Sequence, residues 1–127
     1  MTKTLRIPEN YQAVMPYLIL RDAASFITFA EQVFAAILVM KEMRDERTIM
    51  HAEIKIGDST VMIAEATADY EPQNAGLFVY VKDADTAFEL ALELGSEQIL
   101  QVSDKPYGRS GGIKDPFGNI WWITSVI

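Results

Sequence analysis

Twice along this chain a short apolar run gives way to apolar residues at helical spacing. Residues 15–20 form the first run and read as a strand. Asp22 follows as a helix N-cap, and Ala23, Phe26, Ile27, Ala30, Val33 and Phe34 then recur on one helical face. The stretch YLILRDAASF, starting at Tyr17, is matched by FVYVKDADTA, starting at Phe78, at an offset of 61 residues. Aromatic answers aromatic, base answers base, and Asp-Ala answers Asp-Ala. The second copy predicts a strand, an N-cap at Asp83 and a helix carrying Ala84, Ala87, Phe88, Ala91 and Leu94.

Each helix is followed by three strand-like stretches. They are residues 37–43, 48–56 and 59–66 in the first copy, and residues 97–102, 108–114 and 120–125 in the second. The turns IKIGDS and IKDPFGN occupy equivalent places, and both carry hairpin residues. The pattern therefore predicts one α+β domain over residues 1–127, made of two β-α-β-β-β modules at about 11–68 and 74–127. The polar stretch TADYEPQN links them.

Alternate strand residues define two faces. Leu18, Leu20, Val61, Ile63, Leu77, Val79, Val81, Trp121 and Ile123 form an apolar face that the helices are expected to cover. Tyr17, Met62, Phe78, Tyr80 and Trp122 fall on the other face, together with Met15, Ile19, Thr60, Ala64, Gly76, Ile120 and Thr124. No helix remains to cover that second face. It reads either as the wall of a pocket or as core against another sheet. The adjacent pair Trp121-Trp122 states the question most sharply: one indole is expected under a helix and the other on the open side.

Composition narrows the function classes. Half of the residues are apolar, and no run approaches the roughly 20 residues of a membrane helix. The start MTKTLRIPEN has no apolar segment of the secretory type. There is no cysteine, which excludes disulfides, thiolate nucleophiles and thiolate-bound metals and fits a cytoplasmic location. A net charge of −7 repels phosphate backbones, so nucleic acid is not an expected partner, and neither is a membrane. The same charge favours cationic ligands and also serves solubility. There is no phosphate-binding glycine loop and no nucleophile elbow.

Four stretches in order, PYLILRDAASFITFAEQVFAA, HAEIKIGDSTVMIAEA, VYVKDADTAFELALELGS and YGRSGGIKDPFGNIWWI, together resemble the vicinal oxygen chelate superfamily, and its PhnB-like branch in particular. The superfamily includes glyoxalase I, bleomycin-resistance proteins and extradiol dioxygenases. The resemblance implies curled mixed sheets around a U-shaped cavity, with helices on the outer face. It also implies a homodimer in which each cavity takes modules from both chains. In the metal-using members four strand positions supply ligands, and here these fall on Met15, Met62, Gly76 and Trp122. Thioethers, a missing side chain and an indole do not suit a divalent ion. His51 is the only histidine, so a site of two histidines and one carboxylate cannot form within one chain.

The resulting expectation is a metal-independent protein without a cofactor, binding or sequestering a planar or cationic small molecule. Its cavity is lined by Tyr17, Met62, Phe78, Tyr80, Trp122, Tyr107, Arg109 and His51. The alternative is a glyoxalase-like lyase or isomerase, or a dioxygenase, with an atypical metal site. His51 reads as a polar handle at the cavity mouth or as a locally bonded strand residue. Glu53 and Lys55 share its strand face and are expected to form a solvated ladder. Tyr107 and Arg109 lie in the pliable stretch PYGRSGG; Arg109 reads as a carboxylate or phosphate binder or as a surface arginine. Glu65 is expected at the end of the helix-covered face. Many superfamily members carry Phe-Gly-Ala at the first helix exit, where this chain has Phe34-Ala35-Ala36.

Overall fold

The computed structural model describes residues 2–127. Two modules follow each other: β1 (Tyr17–Leu20), α1 (Ala23–Phe34), β2 (Ile37–Met43), β3 (Ile49–Ile56) and β4 (Ser59–Glu65), then β5 (Gly76–Tyr80), α2 (Ala84–Glu93), β6 (Glu97–Lys105), β7 (Gly108–Lys114) and β8 (Ile120–Ser125). Each module builds one four-stranded mixed sheet, in the order β1-β4-β3-β2 and β5-β8-β7-β6. In both, the first and last strands run parallel and the other pairs antiparallel, and neither sheet closes. Among the described residues no helix is long and apolar enough to cross a membrane.

The two N-caps act as their residue types demand. Asp22 accepts from the Ser25 backbone N–H, and Asp83 from that of Thr86. Glu65, at the end of β4, takes the Asp22 and Ala23 backbone N–H groups, so it caps α1 rather than facing a ligand. Helix α1 ends on Ala35 in a left-handed conformation (φ 57°), the geometry that glycine fills at less cost.

The predicted helical stripes are buried, with one exception. Leu94 lies one residue past α2 and is exposed, because the helix stops at Glu93. A second difference is β6, which runs three residues beyond its predicted end. Asp104 faces Arg109 across the β6–β7 pair, and this opposite-charge contact continues the ladder through a polar stretch.

The modules share one core. Phe26 and Phe34 of α1 pack on Trp121 of β8, with ring centroids at 6.4 and 4.3 Å. Phe117 closes the cluster edge-on against Phe26. The helix of the first module thus covers the central indole of the second, and the two helices also touch. Burial of these large rings contributes to holding the modules together.

Candidate functional site

The site begins at the turn before β8. Asp115 is buried and accepts four hydrogen bonds. Its Oδ1 takes the Phe117 and Asn119 backbone N–H groups, and its Oδ2 takes Asn119 Nδ2 and Trp121 Nε1, the last at 2.8 Å. The carboxylate therefore shapes the DPFGN turn and satisfies the one polar atom of a fully buried indole. With Trp121 fixed under α1, strand alternation places Trp122 on the opposite face.

There Trp122 is half-buried, in register with Phe78 on β5 and Gly112 on β7. Gly112 leaves the room that the indole fills. Phe78 packs against Tyr80 and Tyr107, with ring centroids at 5.3 and 6.1 Å. These three rings are about half exposed, so the second sheet offers an aromatic surface outside the packed core. Phe78 and Tyr80 also border a recess of about 360 Å³ beside Gly57 and Asp58 of the β3–β4 turn.

The first sheet differs in kind. Tyr17 pairs with Met62 and, through its hydroxyl, meets His51 Nδ1 at 3.2 Å. His51 Nε2 lies 2.8 Å from Glu53 Oε2, and the Tyr11 hydroxyl donates to Glu53 Oε1 at 2.7 Å. Glu53 is only 5% exposed. The expected solvated Glu53–Lys55 ladder is therefore not formed. Lys55 turns to the Asn10 side chain instead, and Glu53 is the buried centre of a polar chain. Burial alone would raise the Glu53 carboxyl, but the hydrogen bonds from His51 and Tyr11 more than offset it and hold it below its usual value. Tyr11 is pushed the other way, first by its bond to Glu53.

Arg109 departs from expectation. It points to the helix side of β7, where both Asp85 oxygens grip it, Nε to Oδ2 at 2.6 Å, with Asp104 as a third contact. Alternation sends its neighbours Ser110 and Gly112 to the Trp122 side, so Arg109 cannot face that surface. The ion pair lowers the Asp85 carboxyl and raises the guanidinium further.

The eight expected site residues thus divide. Tyr17, Met62 and His51 share the first sheet; Phe78, Tyr80 and Trp122 share one face of the second, with Tyr107 beside them in the β6–β7 turn; Arg109, on β7, turns to the helix side. Sequence reasoning assigned no such role to Glu53 or Tyr11. The i, i+2 spacing of His51 and Glu53 put them on one strand face, which is the available signal for that pair. No pattern pointed to Tyr11.

The four positions that resemble metal-ligand positions carry Met15, Met62, Gly76 and Trp122, a donor set that does not fit a divalent ion; Met15, expected on the first strand, lies two residues before β1, which starts only at Tyr17 after Pro16. Among the described residues no three His, Asp or Glu side chains converge elsewhere.

Comparison with known proteins agrees with this architecture. The family profile described as Glyoxalase/Bleomycin resistance protein/Dioxygenase superfamily matches residues 12–123. The chain is 29% identical to the uncharacterized protein Mb0911c of Mycobacterium bovis, over 91% of this chain and 84% of that one. The PhnB protein from Bacillus cereus superposes with a TM-score of 0.70 at 16% identity, covering 91% of this chain and 100% of that one. TnmS3, described as an antibiotic binding protein from Streptomyces sp. CB03234, superposes with a TM-score of 0.65 at 16% identity, over 92% and 100% of the two chains.

Proposed function

The chain belongs to the Glyoxalase/Bleomycin resistance protein/Dioxygenase superfamily, and on that premise we propose that it binds a planar or cationic small molecule on its aromatic sheet face without using a divalent metal. One observation carries this reading: Phe78, Tyr80 and Trp122 on the second sheet, with Tyr107 of the β6–β7 turn against Phe78, stand outside the packed core. Aromatic rings recognise flat ligands by stacking and cations through their π faces, each contact contributing about 0.5–2 kcal/mol. The net charge of −7 adds attraction for a cation. The antibiotic-binding description of TnmS3, which shares the fold, points the same way.

Binding of this kind needs no bond made or broken in the ligand; sequestration is enough. The protein acts as a homodimer in which the aromatic face of one copy and the Tyr17–His51 face of the other wall a common cavity. Met62, His51 and Tyr17 then supply the opposite side of the ligand site. Sedimentation equilibrium checks the assembly.

The test uses the two tryptophans against each other. Trp121 is buried and bonded to Asp115, so an external quencher reaches Trp122 first. Titration with proflavine, a planar aromatic cation, is expected to quench part of the emission saturably. Trp122→Ala is expected to abolish that response. Unsaturable quenching, or an unchanged response in the variant, would contradict the reading.

A further inference from the structure

The polar chain on the first sheet is more than an aromatic surface requires. Glu53 has both oxygens engaged and is held in its ionised form, so it can only accept hydrogen bonds. The His51 Nε2 must then carry the hydrogen that points at Glu53, which leaves Nδ1 as an acceptor. The Tyr17 hydroxyl, 3.2 Å away, donates to that nitrogen. Tyr17 is 49% exposed, and its remaining lone pair is open to the outside. Buried carboxylate, oriented imidazole and exposed hydroxyl form the order found wherever a histidine is set up as a base.

We propose that Tyr17, His51 and Glu53 form a proton relay that ionises a bound phenol or enol. The ligand O–H passes its proton to the Tyr17 oxygen while the Tyr17 proton passes to His51 Nδ1. The products are the ligand oxyanion and an imidazolium paired with Glu53, so charge and protons balance and no co-reactant is needed. Tyr17 touches the ligand. His51 acts through Tyr17, and Glu53 and Tyr11 are positioning residues.

Glu42 on β2 is the register partner of His51, Glu53 shares its strand, and β4 brings only the neutral Thr60, Met62 and Ala64 to this face. Tyr11 covers Glu53 from the N-terminal segment, and Tyr17 is the contribution of β1. Lys55 shares this face of β3 but lies beyond Glu53 and is bonded to Asn10. Among the described residues no cation bonds His51, and the Glu53 carboxylate is its acidic side-chain partner. Met62 and Met40, the register partners of Tyr17 and Glu53, give a flat ring an apolar bed.

The inference rests on the reading above only in that a ligand must reach Tyr17; Trp122 takes no part in the proton step. The probe is 4-nitrophenol, whose ionised form is coloured, titrated with the full chain over a range of pH. The apparent pKa of the bound phenol is expected to fall by about one unit, roughly a tenfold gain in phenolate at fixed pH. The imidazole nitrogens of His51, the only histidine, are expected to show protonation by NMR as the colour appears. Tyr17→Phe and His51→Gln should each abolish both signals. Glu53→Gln should shift the pH profile, and if that chain does not fold, Tyr17→Phe decides alone, since it removes one exposed hydroxyl. Bound 4-nitrophenol that quenches Trp122 yet stays neutral would overturn the relay and leave the binding reading standing. A probe that fails to bind, or a colour change that survives Tyr17→Phe, would overturn the relay as well.

Discussion

The six-membered ring of the Trp122 indole fills the space that a side chain on Gly112 would need. A β-carbon there would stand 2.7 Å from Trp122 Cε3. The two residues are register partners across β7 and β8, so the glycine sets where the indole lies on the sheet. Gly112→Ala is expected to displace the ring and to cost about 1–3 kcal/mol. Urea denaturation measures the loss, and the Trp emission spectrum reports the displacement. Gly76→Ala, where a β-carbon meets nothing within 4 Å, is the control and is expected to change stability by less than about 0.5 kcal/mol.

Asp115 is a matching constraint on the other indole. Its replacement by alanine leaves the buried Trp121 Nε1 and the Asn119 amide without their acceptor. Each stranded buried group costs about 1–3 kcal/mol, so Asp115→Ala is expected to lose at least about 2 kcal/mol. Denaturation with tryptophan emission as the probe follows both the stability and the hydration of Trp121. A loss under about 0.5 kcal/mol would mean that the turn tolerates the vacancy.

Ala35 points to a gain. It sits at φ 57° and is exposed, so a glycine there removes backbone strain and sacrifices no packing. Ala35→Gly is expected to raise stability by up to about 1 kcal/mol, read as a higher urea midpoint at unchanged slope.

Stability is also expected to fall on the acid side through Glu53. Its folded carboxyl is held below the usual value, so its contribution is fully present above the unfolded value of about 4.3. The contribution is lost as the pH falls through the lower, folded value. Asp45 and Asp85 are also held low, by backbone N–H groups of Arg47 and Thr48 and by Arg109 respectively, and they act in the same direction. Thermal melts between pH 7 and pH 3 are expected to show this loss, and Glu53→Gln to flatten it.

Much of the fold was legible because strand and helix periods differ. Leu18, Val61 and Ile63 alternate cleanly, the Phe26 stripe repeats at helical spacing, and both aspartate caps precede their helices. The faces of Trp121 and Trp122 followed from that alternation alone. Arg109 was not legible because Gly108, Ser110, Gly111 and Gly112 give β7 no hydrophobic alternation from which to fix a face. Glu53 was misjudged because a Glu and a Lys two apart on a strand look like solvated surface. One of its two side-chain partners, Tyr11, comes from 42 residues away. The bond from Trp121 to Asp115 lay within a recognisable turn motif, yet the turn residues alone suggest hairpin chemistry and not a buried acceptor.

The central claim is that the aromatic face binds its ligand without a divalent ion. Calorimetric titration of proflavine into the chelator-treated chain, with Trp122→Ala alongside, tests it most directly. The account predicts saturable binding that is unchanged by chelator and lost in Trp122→Ala. Binding that requires added divalent metal, or that survives in the variant at full strength, would contradict it.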